Sequence, residues 1–579
     1  MFAKLSKFYI LSLLVSCSTV LYSQELSTIL EQKPFTYSGS MNVNQSATYR
    51  NVSYASTNPY SIFLNGNATL NFYGISFPFS FSYSNQQVNY SQPFNFNQFG
   101  AQPSYKWIKA YIGYNSMSFS PYSLNGHQFL GGGIELTPPD LGLKFSLMYG
   151  RLVKHVEWDK DKLGIMPYYE RYGYATKIGY SGKVGNYEIS LFKAFDKKNS
   201  IDPVPDSLGV TPQENMVYTI KVGKTFIEKI KISGEYAGSA LTHDVRQKDN
   251  ESQVGRREFF LIQPNGTTSY SSAFKGTLDY LGGSYTVGLA YERIAPNYST
   301  LGAYYNNNDL ENIALTATKQ FMQGKLNLAG SAGSQRNNLD KSKLSTSNQF
   351  LGSLNVSYAP SQRLNLNSSY SNYSYFTYMR TPFDQINTTD PYKNLDTLNF
   401  TQISQTVMLS SSIVLGALDN KDKRKMLMTS LSYQQSVNRQ EGSGILNSSY
   451  FYQANVAYSY SIVPTNLTLT GSLLGSYSYI PSVQQQLMAG PVVGIGKSFL
   501  NKKLSTNTSL AYNFSMKDGD YTGGVYSLRL GGGFAHQKVH RINLNIAMIY
   551  RDSKDTNVSK PRTYEFTGNL VYTYSFDSK

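Results

Sequence analysis

The sequence predicts an all-β chain: one large antiparallel transmembrane β-barrel of about 24 strands, with 26 as the alternative. Three observations lead there. An alternation of apolar and small polar residues with a period of two runs from about residue 40 to residue 576, with no helical stretch. The connections between these runs alternate between short and long, as the turns and loops of a membrane barrel do. Tyrosine is in excess, 49 copies against 2 Trp. Its ring suits lipid and its hydroxyl suits headgroups, so it fits aromatic girdles at both interfaces.

Composition agrees. Hydrophobic residues are 40% of the 579 and mean hydropathy is −0.35. That is too polar for a bundle of membrane helices, but it fits strands with one face in lipid and one in a wet lumen. Such a length normally suggests several domains; a single closed sheet escapes that rule.

The chain opens with an expected export signal, residues 1–23. Lys4 and Lys7 form a basic start, Phe8 to Val15 is apolar, and Ser23 precedes Gln24. No later segment approaches eighteen consecutive apolar residues, so no transmembrane helix is expected. The one cysteine, Cys17, lies in this signal, which leaves the expected mature chain without disulfides or Cys-ligated metals. Leu14-Val15-Ser16-Cys17 also has the form of a lipoprotein box; the apolar run continuing through Val20 and Leu21 argues against that reading.

Residues 24–60 are read as an N-terminal periplasmic segment or the first strands, and 61–579 as the barrel. The last strand, 564–576, alternates most cleanly. Tyr564, Phe566, Leu570, Tyr572, Tyr574 and Phe576 share one face, and Glu565, Thr567, Asn569, Val571, Thr573 and Ser575 the other. Its aromatic end, Tyr572, Tyr574 and Phe576, is the expected assembly signal for the outer-membrane insertion machinery. Upstream, 541–550, 523–534, 504–516, 467–479, 452–462, 354–358 and 141–149 repeat the pattern. Short connections at 537–540, 501–503, 464–466, 361–363, 323–325 and 281–283 alternate with longer ones at 551–562, 517–523, 439–449, 379–396, 335–347, 295–311 and 243–268. This phase puts the C-terminus in the periplasm. Twenty-two strands are counted back to about Trp107, and the hairpin 62–83 adds two.

Other patterns carry less. Gly494-Ile495-Gly496-Lys497-Ser498 and Gly223-Lys224-Thr225 fall short of a phosphate loop, since Pro491 and Tyr218 stand where glycine is needed and strands follow both. The five histidines, His127, His155, His243, His536 and His540, show no metal-ligand spacing, and no Gly-x-Ser-x-Gly elbow is present. No enzyme, cofactor or metal site is therefore expected. The formal net charge is +16. No basic block or reader motif accompanies it, so nucleic acid is not an expected partner. Anionic lipid headgroups give the lysines a simpler use.

Two candidate sites remain. Segment 86–107 carries Tyr90, Phe94, Phe96, Phe99, Tyr105 and Trp107 with Pro93 and Pro103. Exposed to water it would be costly, so it is expected to cap the rim, plug the lumen or dock a partner. Lys109, Lys144, Lys177, Lys221, Lys231 and Arg529 alternate out of phase with the apolar residues and should face the lumen, opposed by Glu135 and Glu235. They are expected either to pair locally or to attract anions.

The stretch Phe99 to Pro139, FGAQPSYKWIKAYIGYNSMSFSPYSLNGHQFLGGGIELTPP, resembles an element of large outer-membrane barrels of the Bacteroidota. The Ser23-Gln24 junction and the Tyr/Asn-rich strands are similar in style. The resemblance covers the whole architecture, but its specific motif covers only about forty residues and brings no catalytic residues. It implies an outer-membrane location and service in transport or surface assembly. The expected function is a passage or docking channel for a bulky cargo, a secreted protein or a polymer. The alternatives are a non-conducting scaffold that anchors surface proteins, or a general solute porin.

Overall fold

The computed structural model describes residues 34–51, 59–85, 98–160, 166–183, 185–247, 256–304, 308–343, 346, 348–376, 400–420, 422–440, 444–537, 539–554 and 562–578. The expected signal and the Cys17 box lie outside them.

The strands, in chain order, are β1 (Phe35–Arg50), β2 (Tyr60–Phe72), β3 (Ile75–Ser84), β4 (Gln98–Ala101), β5 (Ser104–Tyr105), β6 (Ile108–Ser118), β7 (Asn125–Leu136), β8 (Leu143–Val153) and β9 (Arg171–Gly182). Next come β10 (Gly185–Asp196), β11 (Glu214–Phe226), β12 (Ile230–Thr242), β13 (Thr268–Leu281), β14 (Tyr285–Ile294), β15 (Leu310–Phe321), β16 (Leu326–Arg336), β17 (Asn348–Ser361) and β18 (Leu364–Phe376). The last are β19 (Phe400–Leu415), β20 (Lys423–Gln440), β21 (Gly444–Ile462), β22 (Leu467–Ile480), β23 (Gln484–Phe499), β24 (Leu504–Lys517), β25 (Asp520–His536), β26 (His540–Ser553) and β27 (Arg562–Asp577).

Apart from β4 and β5, each strand pairs antiparallel with its neighbour in sequence, and β1 pairs with β27 from Ser38↔Asp577 to Arg50↔Glu565. The sheet is thereby closed, and no edge is left to expose unpaired amides. An ion pair between Arg50 and Glu565, 3.2 Å, ties one end of the seam.

The barrel has 26 strand positions rather than 24. One of the two extra positions is β1. The other is β4 with β5, two pieces of one strand that pair with both β3 and β6. Pro103 lacks the N–H that a ladder needs, and it breaks that strand. With strands about 4.8 Å apart and tilted near 40°, the wall is on the order of 50 Å across.

Two connections read as long are tight. β24 and β25 meet at Asp518 (φ 52°) and Gly519 (φ 93°), and β20 and β21 leave only residues 441–443 between them. In both places turn-forming residues, Asp518-Gly519 in one and Gly442-Ser443-Gly444 in the other, make the stretch read as loop from sequence alone.

Short turns share one rim with the start of β1 and the end of β27. Longer connections gather at the other. The outer face is apolar: Leu143, Leu147, Ile178, Ile189, Ile220, Leu289, Ile313, Leu473 and Leu510 are exposed there. The inner face differs around the circumference. Along β7 to β12 it is packed, with Met148, Ala175, Phe192, Ala194 and Val217 fully buried. At mid-height from β16 to β27 it is dominated by Ser353, Asn355, Ser369, Ser410, Ser432, Asn455, Ser509 and Asn545.

Candidate functional site

The buried inner arc is filled by two connections that leave the long-connection rim and fold inward. The first, residues 119–124, joins β6 to β7. Phe119 N–H donates to the Leu124 carbonyl (2.8 Å) and Ser123 N–H to the Ser120 carbonyl (3.1 Å), closing a compact turn around Pro121. Tyr122 N–H donates to the Ser120 hydroxyl, 3.1 Å, a side-chain turn that Ser favours. The second, residues 295–309, joins β14 to β15. Tyr298 N–H donates to the Ala295 carbonyl (3.2 Å), and Gly302 N–H to the Thr300 hydroxyl (3.1 Å).

The two connections hold each other. Tyr298 OH donates to the Tyr122 carbonyl (2.6 Å), and Thr300 Oγ1 to the Ser123 carbonyl (3.0 Å). The rings of Tyr122 and Tyr298 meet edge to face at 6.3 Å. His127 stacks on Tyr304 at 4.1 Å. Gly302 is required by space: a Cβ there would lie 2.7 Å from the Ser123 carbonyl oxygen and 2.8 Å from the Phe192 ring.

The wall holds both. Tyr122 OH donates to Glu292, 2.5 Å, and Ser120 Oγ bonds Glu235. Leu301 N–H donates to Asn215 Oδ1 (3.1 Å), and Ser239 Oγ to the Ser299 carbonyl (2.6 Å). Phe119, Leu124 and Leu301 join Phe129, Phe192 and Val217 in one apolar cluster. Tyr298 reaches Ala237, Ala273 and Ile294 in a second. Burial pushes the Tyr122 phenol far above its ordinary range, and the Glu292 hydrogen bond adds to the rise. The Tyr298 phenol is raised likewise, by burial first and then by the Glu235 charge. Both therefore stay protonated and act as donors. Buried hydrogen bonds of this kind are costly to leave unmade, so this arc of the lumen is a packed core.

The residues singled out from sequence divide differently. Tyr90, Phe94 and Phe96 lie outside the described residues. Phe99 and Tyr105 lie in the wall strands β4 and β5, and Phe99 meets Tyr114 edge-on at 6.4 Å. Trp107 sits at the short-turn rim, where its carbonyl accepts from Thr137 N–H at 2.9 Å. Tyr572, Tyr574 and Phe576 are on the outer face of β27, with Tyr574 and Phe576 rings 5.8 Å apart.

The register puts Lys109, Lys144, Lys177, Lys221, Lys231 and Arg529 on the inner face. Most stand beside carboxylates from neighbouring strands. Lys144 pairs with Glu135 at 3.4 Å. Lys109 is directly across from Glu135, Lys221 from Glu188 and Glu235, and Lys231 from Asp279. Lys177 Nζ donates to the Ser118 carbonyl, 2.9 Å. Arg529 differs, since its register partners are Ser509 and Ala547.

The two inward connections are not evident from sequence. Their signal is Phe119, Tyr122 and Leu124 in one, and Tyr298, Leu301 and Tyr304 in the other: apolar residues in connections that are otherwise polar. A third connection, between β12 and β13, folds over the outer face instead. There Phe259 and Ile262 cover Met216 and Ala240.

Catalytic chemistry finds little to use. No cluster of three metal-ligating side chains occurs among the described residues. Ser269 Oγ lies 3.5 Å from His243 Nε2, the outer limit of hydrogen-bond reach. That hydroxyl also faces the Leu241 carbonyl (3.4 Å).

No family model matches the sequence, and no curated protein matches it. Among solved structures the chain is similar to the translocation pore of the P pilus usher PapC, with 10% identity over 94% of this chain and 99% of that one and a TM-score of 0.38. It is similar also to the copper transporter OprC, with 9% identity over 94% and 81% and a TM-score of 0.37. The FrpB iron transporter from Neisseria meningitidis gives 10%, 95%, 83% and 0.37. These scores are too low for any functional argument to rest on them.

Proposed function

We propose that the chain is an outer-membrane barrel, its C-terminus periplasmic, that serves as a passage or docking channel for a bulky cargo, a secreted protein or a polymer. One observation carries the reading: two inward connections fill the lumen along β6 to β15 and leave the remaining arc unfilled by them. A wall of 26 positions exceeds what a small-solute porin of 16–18 strands uses. Among the described residues that arc is free; it is lined by hydroxyls and amides and includes a concavity of about 840 Å³ bordered by Asn355, Ser369, Ser410 and Ser432. Such a surface hydrogen-bonds water and a sliding chain alike and holds neither tightly. The paired lysines of the filled arc support only weak ion selectivity. A pore this wide needs a partner or further chain to seal it at rest.

Purified protein in planar bilayers tests the reading. Wide, weakly selective conductance that admits neutral polymers supports passage. Silence, also after residues 298–304 are replaced by a short Gly-Ser linker, supports the scaffold reading instead.

A further inference from the structure

Three strands end at the short-turn rim with the same four-residue unit. It is Lys224-Thr225-Phe226-Ile227 after β11, Lys319-Gln320-Phe321-Met322 after β15, and Lys497-Ser498-Phe499-Leu500 after β23. In each, the lysine and the phenylalanine share the outer face, and the ammonium stands over the ring: 5.0 Å for Lys224, 4.7 Å for Lys319 and 5.1 Å for Lys497. In each, the aliphatic residue that follows begins the turn with positive φ: 52° at Ile227, 52° at Met322 and 53° at Leu500. The left-handed region is unfavourable for such side chains, and for β-branched Ile it is an outlier. These three are also far out in solvent, at 85%, 62% and 63% exposure. A soluble rim has no use for strained, exposed aliphatics at three turns.

The charges differ between the rims. At the long-connection rim, three of the outward basic residues have carboxylate partners: Arg151 with Glu170 at 3.3 Å, Lys193 with Glu214, and Arg336 with Glu311. Among the described residues, Lys224, Lys319 and Lys497 take part in no ion pair, and each is exposed. A cation held over a ring with no counterion is ready for an anion from outside the chain.

We propose that these three units are clamps for anionic phospholipid in the leaflet at the short-turn rim. The lysine takes the headgroup phosphate, and the phenylalanine and the aliphatic tip enter the headgroup–acyl boundary. The occupant follows from the placement. The units are four and eight strand positions apart, roughly 25 and 50 Å along the wall, and they point outward in different directions. A compact protein partner cannot grip all three, whereas a surrounding leaflet touches each. The inference rests on the membrane reading above.

The test uses the full chain, delipidated in neutral detergent, with the unfolding midpoint read by heat-modifiable migration. Phosphatidylglycerol is added to one sample, phosphatidylcholine to another and inorganic phosphate to a third. Phosphatidylglycerol should raise the midpoint more than phosphatidylcholine does, and the excess should vanish at high salt. In the triple variant Lys224→Gln, Lys319→Gln, Lys497→Gln the excess should be lost. The inner-face variant Lys231→Gln should keep it. Equal effects of the two lipids, an undiminished excess in the triple variant, or an equal rise with inorganic phosphate would overturn the clamp. A rise with both lipids alike would still support a membrane barrel, so the two readings fail separately. Should the triple variant not fold, selective retention of phosphatidylglycerol over phosphatidylcholine by the unmodified chain decides: enrichment supports the clamp and parity overturns it.

Discussion

Leu570→Arg and Asn569→Arg put the same charge on the two faces of one strand. Leu570 lies near the middle of β27, is 38% exposed on the outer face, and stands between Leu544 and Gln45 in the register. An arginine at the bilayer midplane of a barrel costs about 2–4 kcal/mol. Gln45 offers the guanidinium one hydrogen-bond partner, which takes about 1 kcal/mol off the upper end. The expected loss of about 2–3 kcal/mol is roughly a 30- to 160-fold shift in the folding equilibrium. Asn569 faces the lumen between Ser46 and Asn545, and its Oδ1 has no partner to lose. Arginine there should cost within about 0.5 kcal/mol. The assay is urea-dependent insertion into phospholipid vesicles, scored by the heat-modifiable band. Equal loss or equal tolerance of the two variants would refute the assignment of faces.

Further outcomes follow from the filled arc and the rim. Tyr298→Phe strands the Tyr122 carbonyl and should cost about 1–3 kcal/mol, read as a lower unfolding midpoint. Gly302→Leu puts a side chain into the Ser123 carbonyl and the Phe192 ring, and should raise conductance by driving that connection out of the lumen. Glu135→Gln removes the partner of Lys144 and Lys109, and the reversal potential should move toward anion preference. At the long-connection rim, burial alone would raise the Glu170 carboxyl, but its bonds to Lys197 (3.0 Å) and Arg151 (3.3 Å) outweigh that and hold it below the usual carboxylate range. This tie is therefore present above the ordinary carboxyl pKa and is lost as pH falls through the lowered one. Hydrogen exchange in this rim should rise only in that acid window, and Glu170→Gln should remove the dependence.

The faces of β27 are legible because Tyr564, Phe566 and Leu570 all fall on the outer face, with polar residues opposite at every position but Val571. β1 was harder to read. Its outer face carries Gly39, Gln45 and Ala47 among Tyr37, Met41 and Tyr49, so the contrast between faces is diluted. β4 and β5 escaped because Pro103 divides one strand into pieces of four and two residues, too short for a periodic signal. Alternation alone places the lumen lysines on the inner face, but their carboxylate neighbours emerge only from the register, which sets Lys221 beside Glu188 and Glu235. The filled arc was not legible. Whether a connection bends inward depends on the cavity waiting for it, here the space between Phe192, Val217 and Asn215. No local pattern in 119–124 records that space.

Thiol accessibility separates a partly filled lumen from one that is open or filled throughout. Cys17 is the one cysteine in the chain, so a Cys17→Ser background has none. In it, Ser410→Cys places a thiol on the free arc of the inner face, where the position is exposed. Ala175→Cys places one under the inward connections, where the position is fully buried. With barrels inserted in vesicles, a bulky hydrophilic maleimide should label Ser410→Cys rapidly and leave Ala175→Cys untouched until urea is added. Equal labelling of the two thiols, or labelling at position 175 alone, would contradict the account.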